Sequence, residues 1–254
     1  MSLNHGARIV TDDLMLHLDA ANPKSYSGSG TTWYDVSGNG RHATLRGTSP
    51  ASFDSRNKGV LDFAPSNASY ATIDHDSEIS SAVFDSSDNF TLCGWVYVQS
   101  YISYGTLINK ANGGSYSNTT NGIWIENTSR RIAGVSSTAE NSNPSGSIIY
   151  PAYGSSNAET NKWYHITYCG DGTTARLYIN GVQVNSSNFS NITRTRGSTT
   201  NPIVIGSRNA NTNYTLTHSA ELDSFVSSVS AYGRGLSPEE INQNFNALRG
   251  RFGI

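Results

Sequence analysis

Three carboxylates alternate in the segment Asp74-His75-Asp76-Ser77-Glu78, close enough in sequence to offer oxygen ligands to a hard cation such as calcium. The segment lacks the spacing and the glycine of a helix-loop-helix calcium loop, so a solvated turn is the competing reading. A second candidate is Asp35-Val36-Ser37-Gly38-Asn39-Gly40. An aspartate beside two glycines suits a metal or phosphate loop, and equally a tight turn in which the carboxylate accepts backbone N–H groups. No Gly-Lys-Ser/Thr follows, which excludes a nucleotide-phosphate loop. The six histidines are scattered, and none stands in the H-x-x-x-H or H-E-x-x-H spacing that grips zinc. No nucleophile elbow of the G-x-S-x-G type is present. His165 alternates with Trp163 and Thr167, the setting of a hydrogen-bonded, partly buried structural histidine.

The elements that must position these groups read as strands. Trp163 to Cys169 is β-branched or aromatic almost throughout, the composition of a strand covered on both faces. Asp171-Gly172 breaks the run, Arg176 to Ile179 forms the next strand, and Asn180-Gly181 supplies the two positive-φ residues of a tight hairpin before Val182-Gln183-Val184 returns. Leu14, Leu16 and Leu18 alternate with Met15 and His17, a half-buried pattern. Short strands follow at 59–63, 70–73, 90–98, 106–110, 122–126, 203–205 and 224–232, separated by Gly, Asn, Ser and Pro turns. That spacing marks a sandwich or jelly roll. Residues 136–161 read as one long loop. A single helix is expected after Ser237, which caps it, with Pro238 in its first turn, Glu240 completing a capping box, Ile241, Phe245 and Leu248 as its apolar stripe, and Gly250 as its stop. It should pack on the outside of the sandwich.

The chain has 254 residues, enough for one large all-β domain. Charged residues make up 14% and the net charge is −2, so the basic face of a nucleic-acid binder is missing. The start, MSLNHGARIV, lacks the apolar run of a signal peptide, and no stretch approaches a membrane-spanning length. Synthesis in a cytoplasm without membrane insertion is the expectation. Cys93 and Cys169 both fall inside strands, and buried free thiols are expected; a disulfide is the alternative.

Several segments carry a family resemblance. W-Y-H-I-T-Y followed by R-L-Y-I-N-G-V-Q-V resembles the central hairpin of laminin-G-like domains of the concanavalin A-like lectin/glucanase superfamily. The L-x-L-D-A strand with the D-x-S-G-N-G loop, Phe90-Thr91 with Trp95-Val96, Pro202 to Gly206 and the closing Leu222 to Ser237 segment resemble it too. The closing segment departs at Ser224, where the family has glycine, and at Leu222, where it has an aromatic residue. The resemblance implies an all-β, concanavalin A-like jelly roll of two antiparallel sheets with one short C-terminal α-helix. Calcium occurs in parts of this family, which is the second reason to consider Asp74, Asp76 and Glu78. Its glucanases carry E-x-D-x-x-E or E-x-D-x-E on one strand. Glu221-Leu222-Asp223 begins that way, but no second glutamate follows, and a retaining glycosidase needs both a nucleophile and an acid. The expected protein is therefore not an enzyme.

Domains of this kind bind glycans through aromatic faces that stack on sugar C–H groups. Tyr101, Tyr104, Tyr116, Tyr150, Tyr153 and Tyr214 lie in or beside loops; Tyr116, Tyr150, Tyr153 and Tyr214 are taken as the glycan-contact candidates. The ending from Leu236 to Ile254 and the start from Ile9 to Tyr26 resemble laminin-G-like virion proteins of tailed bacteriophages, especially those of cyanobacteria. That resemblance implies a decoration protein on the capsid surface, contacting other virion proteins and bacterial surface glycans. A tail-associated adhesin is the alternative, and a glycoside hydrolase a further one. The expected organisation is an N-terminal arm at 1–10, the jelly roll at 11–249 and a tail at 250–254. Arg249, Arg251, Phe252 and Ile254 are the docking candidates, unless both ends pack against their own sandwich.

Overall fold

A computed structural model describes residues 8–85, 87–101, 105–111, 119–126, 131–137, 148–153, 158–189, 200–210, 213, 216–218 and 222–254. Its strands in chain order are β1 (Leu14–Asp19), β2 (Thr32–Trp33), β3 (Ala43–Arg46), β4 (Ser52–Asp54), β5 (Val60–Phe63), β6 (Tyr70–Ile73), β7 (Asn89–Val98), β8 (Gly105–Ala111), β9 (Thr119–Glu126) and β10 (Arg131–Ser137). They continue with β11 (Ile148–Tyr153), β12 (Lys162–Asp171), β13 (Thr174–Ile179), β14 (Val182–Asn188), β15 (Ile203–Ile205), β16 (Asn209–Ala210), β17 (Leu216–His218) and β18 (Ser224–Tyr232). The α-helical pieces are a short turn, α1 (Ser77–Ile79), which runs on into a π-helical segment at Ser80–Asp85, and one longer helix, α2 (Pro238–Leu248).

Two eight-stranded antiparallel sheets face each other, as the strand pattern requires. The first runs β14-β13-β12-β7-β18-β5-β4, with β1 also on β18; the second runs β11-β10-β9-β8-β15-β6-β3-β2. Between them lies one apolar core, with Phe63, Leu92, Val96, Ile166, Tyr168 and Val226 from the first sheet meeting Leu45, Ala71, Ile108, Ile123, Ile132 and Ile203 from the second. Alternation along each strand puts one set of side chains into this core and the other outside. The two sheets approach closely at Gly134, where an added Cβ would lie 2.1 Å from the Tyr168 ring. The Tyr168 hydroxyl then reaches Ser136 Oγ at 2.6 Å, which satisfies it inside the core.

The hairpin expected at Asn180-Gly181 is present, with φ of 52° and 79° joining β13 to β14. Pro65–Asn67 forms a 3₁₀ turn, and the strands on either side of it lie in different sheets, β5 in the first and β6 in the second. Residues 136–161 are not one loop: β10 ends there and β11 pairs with it. The isolated Ile148-Ile149-Tyr150 triplet was too short a signal to outweigh its Ser- and Asn-rich surroundings. β1 is not half-buried either, because Met15 and His17 are buried along with Leu16 and Leu18. His17 donates or accepts at Ser230 Oγ, 2.8 Å away on the neighbouring β18. Ser224 is fully buried within β18 and pairs with Phe63 and Val98, and β18 bulges between Val226 and Ser228. Among the described residues no helix is long and apolar enough to cross a membrane.

Helix α2 follows its sequence signals. Ser237 Oγ accepts the Glu240 N–H and the Glu240 carboxylate accepts the Ser237 N–H, a complete capping box. Gly250 does not stop it; the chain tightens into a 3₁₀ turn at Arg249–Arg251, and Gly253 takes the left-handed conformation instead. The helix lies across the outer face of the first sheet, where Ile241 joins Cys93, Cys169, Tyr178, Tyr232 and Leu236 in one buried cluster.

Candidate functional site

Among the described residues, strand register assembles an aromatic surface. Trp163 of β12 is paired with Tyr97 of β7, Tyr97 with Phe225 of β18, and Phe225 with Asp62 of β5. All four therefore stand in one row on the outer face of the first sheet. Ring centroids are 5.5 Å apart from Trp163 to Tyr97 and 5.6 Å from Tyr97 to Phe225. Phe225 is buried beneath the Arg56 guanidinium, 3.7 Å above its ring, whereas Tyr97 and Trp163 are half-buried. At the end of the row Gln99 donates to Asp62 Oδ1 at 2.9 Å, and the Ser100 hydroxyl donates to Asp223 Oδ2. Burial holds the Asp62 carboxyl above the usual carboxylate range; Gln99 opposes this and the charge of Asp223 adds to it. Flat rings edged by amide and carboxyl groups can stack on apolar sugar faces and hydrogen-bond sugar hydroxyls.

Two residues further along the same strands the face is closed. Trp95 stacks on Phe252 at 4.1 Å and on Phe245 at 5.6 Å, and His165 lies 5.0 Å from Trp95. His165 is fully covered rather than partly buried, and its Nδ1 has no protein partner. Burial alone pushes its imidazole down to about 3. Cys93 and Cys169 sit on neighbouring strands of this face as free buried thiols, each pushed up to about 12 by burial. Such thiols stay protonated and unreactive.

The docking candidates divide. Arg251 binds both Asp19 oxygens at 2.8 Å, and Phe252 is buried against Trp95 and Trp163. Arg249 lies 5.6 Å over the Phe245 ring, and Ile254 is exposed. At the other end residues 1–7 lie outside the described set, while Val10 is buried, its N–H donating to Asn244 at 2.7 Å and its carbonyl accepting from Tyr232 at 3.0 Å. Both described ends are thus bound to their own sandwich.

Asp35 is consumed by its turn. Oδ1 accepts the N–H groups of His17 and Ser37 at 2.9 Å, and Oδ2 accepts those of Arg41 at 3.0 Å and the Ser37 hydroxyl at 2.8 Å. Asp76 caps α1, and Asp76 and Glu78 both contact Arg41, at 3.2 and 2.7 Å. Asp74 lies exposed at the end of β6. Among the described residues no group of three His, Cys, Asp or Glu side chains is placed to hold a metal ion. Of the glycan-contact candidates, Tyr116 and Tyr214 lie outside the described residues, as do Tyr104 and Glu221; Tyr150 and Tyr153 are on β11 with their side chains outside the described set. Loop position was the wrong place to look for Tyr97 and Trp163. Their signal is the alternation of aromatic residues at 95 and 97 and at 163 and 165 within apolar strands, where a core role was the expected one.

Solved structures of the same fold were found across nearly the whole chain. Domain 4 of AbnA, a GH43 extracellular arabinanase from Geobacillus stearothermophilus solved with arabinotriose, matches at TM-score 0.64 and 13% identity, covering 91% of this chain and 98% of that one. The binding domain of Paraclostridial Mosquitocidal Protein 1 matches at TM-score 0.63 and 18% identity over 93% and 52%. Trypanosoma rangeli sialidase matches at 0.60 and 17% over 96% of this chain, which spans about a third (34%) of the sialidase. No curated protein matches. Residues 65–242, well over half of the chain, match a family model of laminin-G type described as Concanavalin A-like lectin/glucanases superfamily, and the chain belongs to that superfamily.

Proposed function

We propose that this chain is a non-catalytic structural protein of a tailed-bacteriophage particle, a decoration on the capsid surface, whose outer aromatic row contacts bacterial surface glycans. The observation that carries the glycan part is the half-buried pair Trp163 and Tyr97, held flat by strand pairing beside Asp62 and Gln99. A domain of the same fold, domain 4 of AbnA, was solved with arabinotriose, which supports a binding rather than a cutting role. The particle part rests on the likeness of the segments Ile9 to Tyr26 and Leu236 to Ile254 to phage virion proteins.

An array of bacterial surface glycans, followed by calorimetry on each hit, tests the binding. Tyr97→Ala and Trp163→Ala are each expected to weaken it by about tenfold, the loss of one aromatic contact; unchanged affinity in both would remove the row from the site. Chelation by EDTA is expected to change nothing, because Asp76 and Glu78 already neutralise Arg41. A density map of the intact particle tests the other half. Absence from the particle would overturn the virion reading, and density at the tail would favour the adhesin. A hydrolase reading is favoured by the neighbouring Asp62 and Asp223 alone, and both carboxyls already hold polar partners. Release of reducing sugar that Asp223→Asn abolishes would establish it.

A further inference from the structure

Residues 237–254 cover the outer face of the first sheet without joining it. Among the described residues they pair with no strand, and their polar ties to the sandwich run through side chains. Asn244 Oδ1 accepts the Val10 N–H and Nδ2 donates to the Tyr232 hydroxyl, Gln243 donates to the Arg8 carbonyl at 2.8 Å, and Asn57 donates to the Arg251 carbonyl at 2.7 Å. Arg251 holds both Asp19 oxygens. At the start of the segment Arg234 pairs with Glu240 at 2.6 Å, beside the capping box, so that end is tied separately.

Two imidazoles lie beneath this cover. His165 is buried under Phe245 and Trp95, at 5.9 and 5.0 Å between rings, and His17 is buried two residues from Asp19 on β1. A cavity of about 10 Å³ between sheet and cover is lined by His17, Cys93, Trp95, His165, Asn244 and Leu248, among others. It has room for one water at most, so a charged ring cannot be hydrated in place. Around His165 stand Trp95 from β7, Phe245 from α2 with Arg249 beyond its ring, and Cys93 and Tyr232 across the cavity, with no carboxylate among them. His17 meets Ser230 from β18, Asp35 from its turn, Asp19 on its own strand and Arg251 from the cover. Burial keeps it neutral against the pull of both carboxylates, and Arg251 opposes its charge. An imidazolium here competes with Arg251 for Asp19, which loosens an anchor of the segment.

We infer that residues 237–254 form a clasp that acid lifts from the first sheet, turning about the capped start of α2 while the two sheets stay packed. Opening hydrates both imidazoles and uncovers Trp95 beside Trp163, so it widens the open aromatic surface. The motion does not depend on that surface binding a glycan. The sign follows from the covered rings, His165 being pushed down to about 3 from an ordinary 6.5 and His17 also lowered. The open form takes up the protons first, so each pH unit below about 6.5 favours it by up to about tenfold per histidine. The buried Lys110–Asp85 pair is the acid-sensitive point of the sandwich itself, and its failure would loosen strands instead of the clasp.

Hydrogen exchange on the full chain at about pH 6.0 and 4.5, corrected for intrinsic rates, tests it. Protection of the α2 amides is expected to fall about twentyfold from His165 alone, while the β7 and β12 amides keep theirs. His165→Phe leaves a ring in place and is expected to remove most of that fall, and His17→Phe a smaller part. Constant α2 protection overturns the inference, as does equal loss in α2 and in the strands, or a fall that both variants retain. In the unmodified protein the His165 ring resonances are expected to titrate together with the loss of α2 protection. Titration of His165 while α2 stays protected would overturn it without any variant.

Discussion

Trp95 and Tyr97 stand two residues apart on the same face of β7, yet Trp95 is 1% exposed and Tyr97 is half-buried. The same holds across the pair on β12, where His165 is covered and Trp163 lies at the boundary, touching Phe252 on one side and Tyr97 on the other. Strand alternation puts all four on the outer face. What separates them is the C-terminal segment, which lays Phe245 and Phe252 over one half of that face and stops before the other. A sheet face is thus made into core or into contact surface by whatever crosses it, and the residues themselves are equally aromatic in both halves.

The strongest way to break this contrast is to open the sealed half. Phe252→Ala removes a ring stacked on Trp95 and is expected to cost about 3–5 kcal/mol of unfolding free energy in urea. Trp95 emission should shift to the red as water reaches it, and an unchanged spectrum would show that Phe252 does not seal the face. Acid probes the same half without mutation. His165 is neutral when folded, with its pKa near 3, and ionises near 6.5 when unfolded, so the unfolded state binds the extra proton between those values. Stability is therefore expected to fall as pH drops from about 6.5 toward about 3, with His17, also lowered by burial, adding in the same direction. His165→Phe should flatten that slope; an equally steep decline would place the acid sensitivity elsewhere.

A smaller effect is expected from the cap of the covering helix. Ser237→Ala removes the Oγ acceptor of the Glu240 N–H and is expected to cost about 1 kcal/mol, read as a lower urea midpoint at unchanged slope. Least of all should the open half matter for folding. Tyr97→Ala gives up only part of a buried area, so it is expected to cost clearly less than Phe252→Ala in the same urea titration while changing glycan affinity more. Equal costs would mean that both halves are core.

Much of the architecture was legible because its signals are local. The Asn180-Gly181 hairpin, the strand from Phe90 to Val98 and the capping box at Ser237 each follow from a few neighbouring residues whose backbone preferences agree. The strand β11 was not, since its apolar triplet acts only through pairing with β10. The site was harder still. Asp62, Tyr97, Trp163 and Phe225 come from four strands spread over more than half of the chain, and nothing near any one of them in sequence points to the other three. Loop tyrosines such as Tyr116 and Tyr214 attracted notice because loops usually carry function, and these lie outside the described residues.

By itself, the amino-acid order determined the all-β class, the hairpin turns, the helix and its cap, and a polar, weakly charged exterior, since each depends on dihedral preference, alternation or composition. Only the tertiary structure decided which aromatic rings remain open, that Arg251 and Phe252 bind their own sandwich, and that Arg41, His42 and Asp76 border one cleft. Those facts depend on register between distant strands and on where the C-terminal segment crosses the sheet, and long-range pairing leaves no periodic trace in the sequence near either partner.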